Sequence, residues 1–437
     1  MEAQENVYLK KAADLTYDCV RCGYCLPSCP TYLTMKTETQ TPRGRINLVR
    51  MAAEGHITVN ELSVPIDLCL GCRACEHVCP SNIQYGKMLE LVKGSIRYHK
   101  KQTSSPLRRF CEGFVFKHVF PSKSIMNKLG SFLWVYQKSG VKKVVHMKPL
   151  RYLLPKKLEL FDKGLTEAKP PFRKNDGRRY PSISERPALK VAFFTGCVME
   201  AVFYRINLLS IRLLQKVGCE VVVVNNQTCC GALQLHAGEE ELAKEMAKRN
   251  IEVFEKEEFD YIVNSAGGCG AMLKEYDGLF EGDPEWLERA RHFKQKVADI
   301  SVILNKLGLK LERVLSYRVT YQPSCHMTNV QKVTKEPEAL IQSIEGIEFM
   351  RLNNPNLCCG SGGIYNLIHF EESMHILNAK MSDIKDTKAN VIVTTNPGCL
   401  LQMKVGIAKE NLHDHIKAVH LVELLAEACE ITENRWI

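Results

Sequence analysis

No run of about 18 consecutive apolar residues occurs in this 437-residue chain, so a membrane-spanning helix is not expected. The opening MEAQENVYLKKAADLTYDC has neither an apolar core nor a small-residue cleavage site, which argues against a secretory signal. G-x-G-x-x-G, the P-loop and H-E-x-x-H are all missing. With them go the sequence grounds for a dinucleotide site, a nucleoside triphosphate site and a zincin. Acidic residues are scarce in one segment: between Arg97 and Arg179 there are 21 Lys and Arg against 5 Asp and Glu. That segment carries +16 of a net +10, leaving the remainder at −6.

Cysteine is abundant, at 19 residues. Secreted disulfide frameworks are usually short, so a long cysteine-rich chain without a leader points to metal ligation or redox chemistry in a reducing cytoplasm. Hydrophobic content of 45% and charged content of 25% are those of a globular protein. The length asks for two or three domains.

Two duplications organise the chain. Cys19, Cys22, Cys25 and Cys29 recur at Cys69, Cys72, Cys75 and Cys79, each fifty residues later. Cys197, Cys229, Cys230 and Cys269 recur at Cys325, Cys358, Cys359 and Cys399, with offsets of 128 to 130 residues. The expected division is residues 1–92, a basic helical connector at 93–185, and two repeats at 186–312 and 313–437. Pro170-Pro171 and the following RKNDGRRYP read as an exposed linker within the connector.

The first two motifs are Cys-x2-Cys-x2-Cys-x3-Cys-Pro, the spacing of bacterial two-cluster ferredoxins. Three thiolates on one tight loop wrap a cluster, and the fourth reaches the other cluster. One [4Fe–4S] cluster thus takes Cys19, Cys22, Cys25 and Cys79, and the second takes Cys69, Cys72, Cys75 and Cys29. Structural zinc, which favours separated Cys-x2-Cys knuckles, is the weaker reading. TPRGRINLVRMAAEG between the motifs reads as a helix, which makes this domain helix-rich. Arg43 and Arg45 within it are candidates to face a cluster, a partner or a carboxylate, or to be solvated charges.

In the repeats, LKVAFFTGC, EVVVVNNQTCC and YIVNSAGGC each end a β-branched run on cysteine, as do YRVTYQPSC and VIVTTNPGC. EEELAKEMAKRNIEVFEK has helical periodicity and HLVELLAEAC reads as a closing helix. Short parallel α/β sheets with cysteines at the carboxyl ends of strands follow. The fold class is therefore α+β multidomain, a two-cluster ferredoxin domain followed by two duplicated α/β domains. Cys197, Cys229, Cys230 and Cys269 form one candidate metal site, and Cys325, Cys358, Cys359 and Cys399 the other. Gly231 and Gly360 would let the backbone bend after each cysteine pair. His236 and His326 are candidate ligands or proton carriers, or ordinary polar residues. Cys111, Cys219 and Cys429 have no counterparts, and Cys219 reads as a core residue.

The Cys…Cys-Cys-Gly…Cys pattern resembles the cysteine-rich CCG domain of heterodisulfide reductase and related oxidoreductase subunits. Members with a further cysteine three residues after the last hold a five-thiolate cluster. Here those positions are Met272 and Gln402, and an iron–sulfur cluster, zinc and free thiols all stay open at both sites.

The chain as a whole resembles the glycolate oxidase iron–sulfur subunit family. The resemblance rests on CVRCGYCLPSCPTYLTMKTETQTPRGRI, LCLGCRACEHVCPSNIQYGKMLELV, TGCVMEAVF, TCCGALQLHAG, SAGGCGAMLKEY, LCCGSGGIYNL and TTNPGC. It implies an electron-transfer subunit of a complex that converts glycolate to glyoxylate. A flavoprotein subunit holding FAD would oxidise the 2-hydroxy acid, and electrons would pass towards quinone or another membrane acceptor. Lactate and glycerol 3-phosphate oxidation belong to the same group. The basic stretch over 97–179 mixes aromatics with lysines and suits peripheral contact with an anionic membrane surface. Docking an acidic subunit or simple solvation are the plainer readings. A thiol-reducing catalyst and a nucleic-acid binder are the competing classes. The missing fifth cysteines weigh against the first and the lack of any nucleic-acid module against the second.

Overall fold

The computed structural model describes residues 4–145, 147, 156–165, 168, 170 and 177–432. Residues 171–176 of the expected linker therefore lie outside the described residues, as does the side chain of Cys111.

The first hundred residues are mostly helical, and side-chain caps start two of the helices. Thr41 caps Pro42–Ala53 by accepting from the Gly44 amide at 2.8 Å, with Pro42 in the first turn, where its missing N–H is no loss. Thr58 and Glu61 form a reciprocal capping box on Val59–Asp67. Tyr85–Thr103 lays Met88, Leu89, Val92 and Ile96 against Leu9, Ile46, Val49, Leu62 and Ile66. Each such aliphatic side chain contributes about 1.5–3 kcal/mol on full burial. This core holds the two cysteine loops together.

The helix Tyr85–Thr103 runs straight through the boundary expected at 92/93. Gly94 does not interrupt it, because the Tyr8 ring packs there, 3.4 Å from where a Cβ would stand. The connector is also no free spacer. Its helix Lys123–Lys138 docks on Val198–Ala201 so closely that a Cβ at Gly130 would lie 2.5 Å from the Ala201 carbonyl. Its helix Lys156–Gly164 lies on Pro397–Lys409, with Gly164 against Leu401 and Val405.

The repeats have matching sheets. The first contains β1 (Arg179–Tyr180), β2 (Leu189–Phe193), β3 (Cys219–Val222), β4 (Tyr261–Asn264) and β5 (Val297–Asp299), in the order β1-β3-β2-β4-β5. The second contains β6 (Arg318–Gln322), β7 (Glu348–Phe349), β8 (Val391–Thr394) and β9 (Lys417–His420), in the order β7-β6-β8-β9. All pairings are parallel except β1 with β3. β1 comes from the stretch expected to be connector, so the first repeat's sheet begins before residue 186. One apolar core, including Val191, Phe193, Leu213, Val393 and Leu425, runs through both repeats. Among the described residues no helix is long and apolar enough to cross a membrane.

Candidate metal centres

The structure brings the eight cysteines of the first two motifs together in an interleaved way. Cys19, Cys22, Cys25 and Cys79 line one open cavity enclosing about 430 Å³, which Cys75 also borders. Cys29, Cys69, Cys72 and Cys75 line a neighbouring cavity of about 300 Å³. In each, the fourth cysteine is supplied by the other motif.

Both loops coil alike. Arg21 and Gly71, each two residues into its motif, have φ of 58° and 64°, and Gly23 and Arg73 have φ of 88° and 60°. Left-handed residues at these points turn successive amides toward one centre, which makes a concavity suited to an anion. Two arginines held at positive φ carry a strain of order 1–3 kcal/mol each, which the surrounding fold must impose.

The walls match an anionic, sulfur-rich occupant. Neither cavity lining contains an acid or a histidine. Arg45, only 1% exposed, borders the second cavity and donates to the carbonyls of Pro65 at 2.7 Å and Gln40 at 2.9 Å. Burial opposes its charge, but Cys69, Tyr85 and Cys29 outweigh that and hold it firmly protonated. Arg43 borders the first cavity and pairs with Glu38 at 2.7 Å. Burial lifts the Cys25 thiol to about 11 and pushes Cys72 and Cys75 well above the ordinary range. Thiols so placed become thiolates only when a metal supplies the compensating charge. Among the described residues no three His, Cys, Asp or Glu side chains already surround a single ion-sized point. Four soft donors around an open space fit a multi-atom cluster better than one tetrahedral ion, whose sulfurs stand about 2.3 Å from it.

The second set of cysteines sits at the carboxyl ends of strands. Cys197 follows β2, Cys229 and Cys230 follow β3, and Cys269 follows β4. Cys325, Cys358 with Cys359, and Cys399 occupy the equivalent places after β6, β7 and β8. Gly231 and Gly360 have φ of 89° and 87°, the left-handed turn each cysteine pair needs. In the first repeat the Cys197 thiol lies 3.2 Å from the Cys229 sulfur, and Cys230 interacts with Cys229 and Cys269 in turn. The hydrogen bond to Cys229, then burial, pushes Cys197 up, while bonds from Cys197 and Cys230 hold Cys229 down. In the second repeat Cys325, Cys358, Cys359 and Cys399 line one cavity of about 290 Å³. Met272 and Gln402, where a fifth thiolate would stand, are committed elsewhere. Met272 is buried in the core, and Gln402 accepts from Asn366 and donates to Ser373, both at 2.9 Å. Cys219 is fully buried at the start of β3, as its sequence suggested, and Cys429 is buried under the last helix. Among the described residues all eighteen cysteines are free.

The tertiary structure links these sites. Asn329, in the wall of the second-repeat cavity, donates to the Cys72 carbonyl at 2.7 Å across 257 residues of sequence. Leu70, Cys358, Tyr365 and Ile376 form one apolar cluster with Cys72 against it. Between the repeats, Gly268 donates to Asn396 at 3.0 Å, and Ser324 fills the space a Cβ on Gly267 would need. His236 and His326 meet there with ring centroids 5.5 Å apart, and His326 Nδ1 lies 3.4 Å from the Cys325 sulfur. Burial first, then His326, Lys93 and Arg73, keeps His236 neutral. Asn329 and Tyr365 had no local sequence signal, because their role exists only once distant segments meet.

Comparison with known proteins agrees with this geometry. Residues 16–83 match the 4Fe-4S dicluster domain, 107–165 match the linker region of the glycolate oxidase iron-sulfur subunit, and 191–274 and 319–404 match the cysteine-rich CCG domain. The chain is 44% identical over 417 residues to the probable glycolate oxidase iron-sulfur subunit of Bacillus subtilis (strain 168), covering 94% of this chain and 93% of that one. It is 27% identical over 406 residues to the glycolate oxidase iron-sulfur subunit of Escherichia coli (strain K12), covering 91% and 92%. Lactate utilization protein A of Oceanobacillus iheyensis is 36% identical over 239 residues, 54% of this chain and 96% of that protein.

Proposed function

The chain belongs to the glycolate oxidase iron–sulfur subunit family, and from that premise we propose that it carries electrons within a glycolate-oxidising complex. The observation that carries the reading is the interleaving of the first two motifs, four thiols from both around each of two adjacent cavities. In this reading Cys19, Cys22, Cys25 and Cys79 hold one [4Fe–4S] cluster, and Cys69, Cys72, Cys75 and Cys29 hold the other. Such clusters supply one-electron chemistry.

The chain's own residues prepare the sites. Arg43, Arg45 and Arg73 place positive charge beside the thiolates, and the two loops aim amides inward. In this reading glycolate is oxidised on a partner flavoprotein holding FAD, with quinone or another membrane carrier as acceptor, in keeping with a chain that carries no dinucleotide motif. The four cysteines of each CCG repeat are a four-thiol site for a further iron–sulfur cluster or zinc, with free thiols as the alternative. The proposed divisions follow the cysteine motifs: 1–92, 93–185, 186–312 and 313–437, with the helix at 85–103 shared across the first boundary.

The connector supports a location at the membrane surface. Leu129, Phe132 and Val135 stand exposed along one face of Lys123–Lys138, with Lys128 and Lys138 beside them. A basic amphipathic helix of this kind lies in the interface of an anionic bilayer.

Iron and acid-labile sulfide analysis of anaerobically purified protein, with electron paramagnetic resonance, tests the proposal. The first two sites are expected to hold about eight irons. Cys79→Ala should remove the signal of the site built on Cys19, Cys22 and Cys25 and spare the other. Glycolate should reduce the clusters only when the flavin subunit is added. Zinc without sulfide, or loss of the site containing Cys69 on the Cys79 substitution, would overturn the assignment.

A further inference from the structure

A large cavity lies where the cluster-binding domain, the connector and both repeats meet. It is open to solvent, spans about 1280 Å³ of unfilled space with that solvent counted in, and is bordered by Cys69, Lys93, Phe116, Leu233, Ile364 and Tyr365 among others. Cys69 belongs to one of the proposed clusters, so an occupant here sits against a redox centre. Tyr365 is 5% exposed, its hydroxyl has no hydrogen-bond partner among the described residues, and its ring packs in the cluster that includes Cys358.

The charges in this wall are largely neutralised. Arg97 pairs with Glu239 at 2.6 Å and Lys100 with Asp67 at 2.7 Å. Lys93 makes no salt bridge among the described residues; burial lowers its pKa, and the neighbouring Cys69, Asp67 and Glu90 oppose that and favour its charge. One unpaired cation in a mainly apolar wall excludes polyanions such as nucleotides, which need several cationic groups. A small carboxylate would leave most of the apolar space unfilled. A flat, apolar ring with hydrogen-bond acceptors fits both features. Phe116, in the cavity wall, belongs to the connector, where the adjoining Phe114 and Val115 are exposed.

We propose that this junction cavity, between Cys69, Lys93, Phe116 and Tyr365, binds a lipophilic quinone and is where electrons leave the protein. This rests on the electron-transfer reading above and adds the exit site to it. The quinone takes two electrons, delivered singly from the clusters, and two protons from water to become the quinol. No bond to the protein forms. Lys93 places its charge beside the quinone oxygen, and Leu233 and Phe116 flank the ring.

Titration of the anaerobic, iron-replete protein with a decyl-substituted benzoquinone, followed by calorimetry, tests the site. One equivalent should bind. Lys93→Gln should weaken binding about tenfold, the usual loss for one charge-assisted hydrogen bond. Leu233→Trp should abolish binding by filling the cavity, with iron content and melting temperature retained, and it serves where Lys93→Gln disturbs a cluster. Failure of the parent to bind, or parental affinity in both variants, would overturn the site. If the quinone binds as expected but glycolate with the flavin subunit never reduces the clusters, the electron-transfer reading fails and the site stands. If the clusters are reduced but binding ignores both substitutions, the site fails and that reading stands.

Discussion

His420 ends β9 with its ring 1% exposed, and its Nδ1 accepts from the Val422 amide at 3.2 Å to cap the last helix. Burial, opposed by nearby backbone groups, lowers its pKa from 6.5 to about 4. It is therefore neutral in the fold across the range in which the unfolded chain takes up a proton. Its contribution to stability is complete above pH 6.5 and is lost as the pH falls toward 4. Between pH 7 and pH 5 the loss from this one group is about 2 kcal/mol. Denaturant unfolding at the two pH values should show it. His420→Asn, which keeps a capping side chain, should flatten the difference, and an unchanged pH dependence would count against it. At this scale the sequence was legible where chemistry is local. The eight ferredoxin-type cysteines and the eight of the repeats could be picked out by spacing alone. Arg45 could not be placed, because its carbonyl partners come from Gln40 and Pro65 on separate segments.

Elements were legible where a cap or a period marked them. The helix at 42–53 begins at its Thr-Pro cap, and β2, β3, β4, β6 and β8 fall on the β-branched runs that end in cysteine, whereas β1, β5, β7 and β9 lie outside those runs. Their ends were less so. The helix Tyr85–Thr103 continues past residue 92 because Tyr8, far off in sequence, packs over Gly94. The two-residue strand β1 exists only through its pairing with β3. The connector helix Lys123–Lys138 buries Met126 and Gly130 on one side and exposes Leu129, Phe132 and Val135 on the other. If that outer face lies on a bilayer, Leu129→Ser with Phe132→Ser should weaken binding to vesicles containing anionic lipid by about a hundredfold, from two apolar side chains at roughly 1.5 kcal/mol each. Co-sedimentation in low salt measures it. Equal sedimentation of parent and variant would rule out this face.

For the whole molecule, the first domain is fastened to the first repeat by a buried cluster of charges. Glu239, with its side chain 8% exposed, pairs with Arg97 at 2.6 Å and with Lys101 at 2.7 Å. Beside it Gly238 approaches the Lys93 carbonyl so closely that a Cβ would lie 2.2 Å away. Glu239→Gln keeps the shape and removes the charge, which at a buried pair costs about 3 kcal/mol. Iron-site absorbance and far-ultraviolet circular dichroism, followed together on heating, should then separate into two transitions. A single transition at the parental temperature would show that this contact does not hold the domains together. A separate contact, from Asn329 to the Cys72 carbonyl, joins the second ferredoxin-type site to the second repeat. By itself the sequence determined the donor atoms and the two duplications, because thiolate spacing and strand periodicity are local properties of the chain. Only the tertiary structure decided which sites adjoin, that Lys93 stands beside a large cavity with no ion pair among the described residues, and that the connector is clamped across both repeats. Those depend on contacts between segments 138 to 257 residues apart, which the packing of the assembled core selects and no local pattern encodes.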